Sequence, residues 1–237
     1  MGLVAAIKRR LHRDIVADPV LHGRVLNLYL NGEEYPHRVE GYFPLAAVED
    51  GALAGTMRRH VREEDKHVAL YRKAIARIGQ PIRAMPTPEI YNSVIRRHTP
   101  ADFTMGPRDG ADARRLKLAH FLAHLHFLEA RIARSLEIHL EACAHAPSAY
   151  PGKAVAAVLR DEYGHVAYTR EAVHALLPRA AAGRVVALHR AAEARANREF
   201  SSTQLERLVR EHRARFGPWS RALYLGCARV TRGRVHG

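Results

Sequence analysis

The chain has 237 residues, 47% of them hydrophobic, which suits a globular fold with a sizeable core and excludes a disordered polymer. Its formal net charge is +14, and from Pro178 onward thirteen arginines face only four glutamates, so the basic surplus is concentrated near the C-terminus. The two cysteines, Cys143 and Cys227, form neither a disulfide framework nor a CxxC pair, and no apolar run is long enough for a membrane-spanning helix.

The N-terminal stretch MGLVAAIKRRLHRDI places its basic residues after the apolar ones, the reverse of a secretory signal. A reduced, cytoplasmic setting without stable membrane insertion is therefore the expectation. The dominant hydrophobic period is helical and strand signals are nearly absent, which predicts an all-α fold. A short amphipathic helix is expected near residues 3–14. A long helix then runs from about Asp18 to Phe43, where Pro44 stops it. A second runs from Ala46 to Ile78 and ends at GQP. The thirty residues from Pro81 to Gly110 hold five prolines and cannot form one helix. They suit a crossover with a short helix near Glu89–Arg97. A third long helix spans Ala111–His145, is broken by APSAYPG, and is followed by a fourth over Lys153–Leu177. Beyond Pro178 two helices, Ala181–Phe200 and Thr203–Phe216, and a tail from Pro218 are expected. The Asp-Gly pairs at Asp50 and Asp109 fall at helix junctions. Two helical hairpins joined by a long crossover describe a four-helix bundle. Residues 1–178 are assigned to it with its N-terminal helix, and 179–237 to a basic helical extension packed on it.

Two stretches of the chain nearly repeat each other. REEDKHVALYRKAI from Arg62 to Ile75 and RDEYGHVAYTREAV from Arg160 to Val173 agree at seven of fourteen positions. Each carries a glutamate and a histidine three apart, Glu64/His67 and Glu162/His165, which project from one helical face and can reach one metal. The spacing alone is weak evidence. Four such pairs exist, Glu34/His37 and Glu171/His174 included, where 16 histidines among 237 residues supply about one by chance.

The partners decide between them. A two-metal carboxylate site in a bundle takes one glutamate from each of two helices and a Glu-x-x-His from each of the other two. Glu129 lies 33 residues before Glu162, on a stripe with Leu122, Leu125, Ile132 and Leu136. A charge there is costly unless paired or metal-bound. Glu33 lies 31 residues before Glu64, beside Leu26, Tyr29 and Leu30. Glu34 instead shares its face with Asn27 and Asn31, so Glu33 is preferred, with Pro36 expected to kink its helix. Glu171/His174 has no such partner and should lie away from any metal. Glu63 and Asp161 are placed to accept the outer ring proton of a ligating histidine, each from the opposite half, with Arg62 and Arg160 as their possible cations. Tyr29, Tyr71, Tyr163 and Tyr168, the histidines His120, His124 and His126, and His60 are assigned to packing.

With these motifs in place the chain resembles the ferritin-like di-iron carboxylate proteins over roughly residues 20–178. Locally, GEEYPH at Gly32–His37, FLEARIA at Phe127–Ala133 and DEYGHVAY at Asp161–Tyr168 are similar to segments of the aldehyde-deformylating oxygenases. The resemblance implies a ferritin-like bundle with Glu33 and Glu129 as terminal ligands. It implies Glu64 and Glu162 as the bridging, catalytic carboxylates and His67 and His165 as the nitrogen ligands. Two Fe ions (Fe2+/Fe3+) are the implied cofactor, and Mn/Fe or di-Mn pairs share the ligand set. The implied activity is an O2-dependent oxygenase or oxidase acting on a small organic substrate, with electrons from an external ferredoxin or reductase, since no rubredoxin-type CxxC pair is present. A tRNA-modifying hydroxylase docking RNA through the basic C-terminal region is a second reading, and a ferroxidase or iron-handling protein a third. A homodimer is left open.

Overall fold

The computed structural model describes residues 3–233. Residues 1, 2 and 234–237, the ends of the two assigned segments, lie outside the described residues. The described residues form helices and turns without a strand. In chain order the helices are α1 (Leu3–Ala17), α2 (Pro19–Glu33), the single turn α3 (Tyr35–Arg38), α4 (Gly51–Arg77), α5 (Tyr91–His98), α6 (Ala111–Cys143), α7 (Tyr150–Leu176), α8 (Arg179–Glu211) and α9 (Pro218–Gly233). None is long and apolar enough to cross a membrane.

Local chemistry sets the helix ends. Asp18 caps α2, its Oδ1 accepting from Val20 N at 2.8 Å and Leu21 N at 3.2 Å, with Pro19 at the first helical position. Asp50 caps α4 in the same way, at 2.8 Å from Ala52 N and 3.2 Å from Leu53 N. α4 stops in a Schellman motif: Gly79 (φ +67°) donates to Ala76 O, and Gln80 N donates to Ile75 O. The positive φ explains the glycine.

Three boundaries differ from the sequence-based expectation: the end of α2, the start of α4, which is Gly51 with its Asp50 cap and not Ala46, and the break expected within α8. α2 ends at Glu33, not near Phe43, because Pro36 lacks the N–H that would continue the ladder. The chain resumes for one turn and then runs irregularly through Gly41 (φ +64°) to Asp50, so Pro44 is not the stop. Over Arg179–Glu211 there is one helix, α8, where a break near residues 201–202 between two helices was expected. Its SST sequence stays helical because Ser202 Oγ donates to Glu199 O and Ser201 Oγ to Asn197 Oδ1, which satisfies the hydroxyls within the helix.

Apolar contacts fix the topology. Leu26 and Leu30 of α2 pack with Tyr71 and Ile75 of α4, Ala133 and Leu136 of α6, and Val155 and Val158 of α7. The C-terminal halves of α4 and α6 thus meet the N-terminal half of α7, so α4 and α6 run parallel while α7 opposes both. A parallel pair demands a crossover, and residues 78–110 supply it. A second apolar cluster gathers Met57, Ile95, Phe121, Leu122, Leu125 and Leu128 with Val173, Val185 and Ala196. It brings α5 and α8 against the same bundle. Glu193 of α8 ties this face together, accepting from Arg131 Nε at 2.5 Å and from the Tyr91 hydroxyl at 3.1 Å.

The start of the crossover is held by two side chains. Asn27 Nδ2 donates to Pro81 O, and Asn27 Oδ1 accepts from Arg83 N at 2.7 Å. One turn on, Asn31 Nδ2 donates to Arg83 O and Asn31 Oδ1 accepts from Met85 N at 2.7 Å. The two asparagines are 3% and 1% exposed, so their helix face is covered by the crossover and is not a solvent face. Replacing Asn31 by alanine leaves buried backbone groups of Arg83 and Met85 unpaired. The Asn31→Ala variant should lose about 2–4 kcal/mol in urea denaturation, near the sum of two such penalties; a loss under about 0.5 kcal/mol would show that the crossover does not depend on it.

Candidate metal centre

Four long helices each send an acid into the layer between the two apolar clusters. Glu33 comes from the last turn of α2, Glu64 from α4, Glu129 from α6 and Glu162 from α7, joined by His67 and His165. All six are buried, from 0% exposed at His67 and Glu162 to 6% at Glu64. The structure therefore brings together every residue that the repeat and its spacing singled out. Glu34 points elsewhere, to Arg72 Nη2 at 2.6 Å and Arg38 Nη2 at 3.0 Å. Glu171 and His174 are exposed. His37 pairs with exposed Asp65.

The two histidines are arranged alike. His67 Nδ1 lies 3.4 Å from Glu33 Oε2 and 3.7 Å from Glu162 Oε1. His165 Nδ1 lies 3.1 Å from Glu162 Oε2 and 3.9 Å from Glu64 Oε1. The outer nitrogens point the other way. His67 Nε2 donates to Asp161 at 3.1 Å, and His165 Nε2 donates to Glu63 at 3.0 Å. Each half supplies the acid for the histidine of the other. This contact fixes the tautomer, leaving both Nδ1 lone pairs facing the carboxylates. The cation on Asp161 is Lys66 of α4, in contact across the helices; Arg62 and Arg160 are exposed.

His60, which sequence reasoning gave no role in the site, lies at the edge of the carboxylate layer. It is 1% exposed, and its Nε2 lies 3.0 Å from Glu64 Oε1 and 3.7 Å from Glu129 Oε1. Its ring stacks on His165 at 3.5 Å between centroids, and the Tyr168 hydroxyl donates to its Nδ1 at 2.8 Å. Tyr168 thus supports the site, whereas Tyr163 is exposed and bonded to Glu137. The position matching His60 in the second copy is Val158, so the repeat carried no signal for it. Only its place one turn before Glu64 could have marked it. His126 donates to Val166 O, and His120 contacts His189, as packing residues do.

Four buried carboxyls in one layer cannot all be ionised. Burial, then the charge of Glu64, pushes Glu33 well above the ordinary glutamate range; burial and the charge of Glu162 do the same to Glu129. Burial and the charges of Glu33 and Glu64 raise Glu162. Glu64 departs from this: burial is the largest influence and opposes its charge, but the hydrogen bond and charge of His60, the hydrogen bond of Glu33 and the charge of His67 together outweigh it and lower Glu64 to about 2. Glu33 pairs with Glu64 and Glu129 with Glu162, one carboxyl pair in each half. Glu162 Oε1 is buried without a hydrogen-bond partner. A buried carboxyl oxygen without a partner beside imidazole nitrogens is a donor that a cation could use.

These groups could hold a metal ion. Ligand atoms of Glu33, Glu64, His67 and Glu162 lie within 4.8 Å of one another, as do those of Glu129, Glu162 and His165, and of His60, Glu64 and His165. Glu64, Glu162 and His165 each belong to two of these groups. Oxygen and imidazole donors without a thiolate suit Fe or Mn. Comparison of the chain with protein-family models, curated proteins and solved structures finds no match.

A carboxyl whose pKa is raised in the fold stabilises the metal-free protein below the unfolded value of 4.5, and that stability is lost as pH rises through the folded value. A divalent ion must displace those protons. Titration with Fe2+ in weakly buffered solution near neutral pH should therefore acidify it, and Glu129→Gln should release fewer protons per ion bound. Metal uptake with no pH change would contradict the protonated carboxyls. Glu63→Gln and Asp161→Asn should each weaken metal binding about 10–100-fold without unfolding the protein.

Proposed function

We propose that this chain is an O2-dependent di-iron oxidoreductase, an oxygenase or oxidase, built on a ferritin-like four-helix bundle. One observation carries the reading: four glutamates and two histidines from four helices meet in a buried layer, with each histidine oriented by an acid of the opposite half. Glu33, Glu64 and His67 would hold one ion and Glu129, Glu162 and His165 the other, with Glu64 and Glu162 shared. Two irons held there supply the reduction of dioxygen, and Mn/Fe or di-Mn pairs use the same donors.

The residues of the chain set the conditions for that chemistry. Four carboxylates neutralise two divalent ions, which makes a buried site electrostatically tolerable. His60 Nε2–H donates to Glu64, and the Tyr168 hydroxyl backs His60 from its far side, so a proton is held at the carboxylate edge. Phe43 packs on His60 at 5.1 Å between centroids, and Tyr42 and Phe121 pack against Phe43. These rings cover the site on the side of the irregular segment 39–50 and exclude water. A small organic substrate would enter there, against an apolar wall. Electrons would come from an external ferredoxin or reductase, for which a basic surface is a complementary dock.

The proposal is tested by reconstituting the purified protein with Fe2+ without oxygen and counting metal. About two irons per chain are expected by analogy with bundle carboxylate sites, with loss in Glu64→Ala and Glu162→Ala. A folded wild-type protein that binds no iron would end the reading.

One feature favours RNA as a substrate carrier. Trp219 on α9 is 86% exposed, and Arg210, Arg213 and Arg221 line an open groove beside the same helix. An aromatic face among arginines is a stacking platform for single-stranded bases. Retention on tRNA that falls with salt and weakens in Trp219→Ala would support the tRNA hydroxylase form of the reading. Indifference to tRNA at low salt would leave the small-molecule form.

A further inference from the structure

Beyond the carboxylate layer, toward the end of α6, lies a second group of ligating side chains. His139 is completely buried on α6, ten residues after Glu129, and Cys143 follows it by one helical turn. His22 of α2 is 2% exposed, and its Nε2 lies 3.1 Å from His139 Nε2. One ligand atom from each of His22, His139 and Cys143 lies within 4.8 Å of the others. On the far side of His139, His12 of α1 approaches with Nδ1 to Nδ1 at 3.2 Å. Tyr29 packs edge-on against His139 at 5.4 Å between centroids. α7 closes over the thiol at Gly152, where a Cβ would come within 3.1 Å of Cys143 Cβ.

Nothing in the proposed di-iron chemistry uses this group, and packing explains it poorly. Three imidazoles in a row are an expensive way to fill a core, because each ring carries polar nitrogens that must be paired. They are well prepared as ligands. Burial, with Lys8 adding to it for His12, lowers His12 and His22 to about 4, so no proton competes for their lone pairs at neutral pH. Burial pushes the Cys143 thiol up to about 11, so a thiolate forms there only when a cation takes the proton's place.

We propose that His22 Nε2, His139 Nε2 and Cys143 Sγ form a site for one soft d10 cation, with copper(I) preferred. The facing Nε2 atoms are as close as two ligands of a single ion, and the third corner is sulfur, which selects Cu(I) or Zn(II) over harder ions. Charge chooses between the two. The group contains no carboxylate, and the charge that reaches its neighbour His12 is the positive one of Lys8. One thiolate cancels a monovalent ion but leaves a divalent one uncompensated in a buried place. Binding is a proton exchange without a redox change: the Cys143 S–H proton leaves to solvent and a Cu–S bond forms. The hydrogen between the two Nε2 atoms is displaced as His22 adopts its Nδ1–H tautomer. His139 then donates Nδ1–H to His12 Nδ1, so His12 positions the ligand without touching the ion.

The site is independent of the carboxylate layer, and one experiment separates them. Full-length, metal-free protein is titrated without oxygen with Cu(I) buffered by the coloured chelator bathocuproine disulfonate. Wild type should withdraw one copper per chain from the chelator. Cys143→Ser should withdraw none, and Cys227→Ser should match wild type. His12→Asn, in which the thiol remains, should bind about 10–100-fold more weakly while keeping the wild-type helical circular dichroism. Glu64→Ala with Glu162→Ala should retain the copper, so failure of the iron reading leaves this result untouched. Three results would overturn the proposal: no withdrawal by wild type, withdrawal unchanged by Cys143→Ser, or zinc held as tightly as copper in the matched competition.

Discussion

Four carboxyl groups are buried in one layer of this bundle, and most of the architecture follows from the need to make them tolerable. Unpaired carboxylates in an apolar interior cost more than a fold of this size can spare. The chain meets this cost in several ways at once. Three of the four acids hold their protons, and the fourth is stabilised by His60. Imidazole nitrogens fill the remaining edge. Two apolar clusters, one on each side, confine the polar groups to a single level. A cation is a species that such a layer could hold, because positive charge would let all four acids ionise together.

Much of this was legible in the sequence, and the reason is periodic. A glutamate on an apolar stripe stands out because helical spacing makes it a neighbour of Leu122, Leu125 and Leu136. A repeated segment stands out because two helices solve the same problem. Glu33 could be separated from Glu34 by its neighbours. Asn27 and Asn31, on the Glu34 face, are polar because they bind the crossover backbone. The proline-rich segment and the aspartate caps were likewise local signals.

What the sequence hid was cross-helix chemistry. His60 acquires its role from Glu129, His165 and Tyr168, which stand on two other helices, and spacing along one helix cannot reveal that. The same is true of His12, His22, His139 and Cys143, drawn from three helices and separated by up to 131 positions. The α8 boundary was missed for a different reason. A Ser-Ser-Thr run is ambiguous until it is known where its hydroxyls bond. The basic C-terminal region is likewise less bare than its composition suggests. Arg207 meets Glu89, Arg215 meets Asp18, and Arg210 and Arg232 both meet Glu206. Part of the arginine surplus therefore joins α8 and α9 to the rest of the molecule.

The crossed acids have a consequence for symmetry. Under a two-fold axis, if one residue of the first half touches a given residue of the second, the equivalents touch in return. Glu63 on His165 and Asp161 on His67 obey that rule, and so do His67 with Glu162 and His165 with Glu64. The bundle thus carries the reciprocal contacts of an isologous dimer within one polypeptide. Neither hairpin owns a complete histidine environment, so each is chemically unfinished until the other docks. His60, whose counterpart in the repeat is Val158, is where the symmetry is broken. Two ions bound here would sit in unequal surroundings, as partners with different duties rather than as copies.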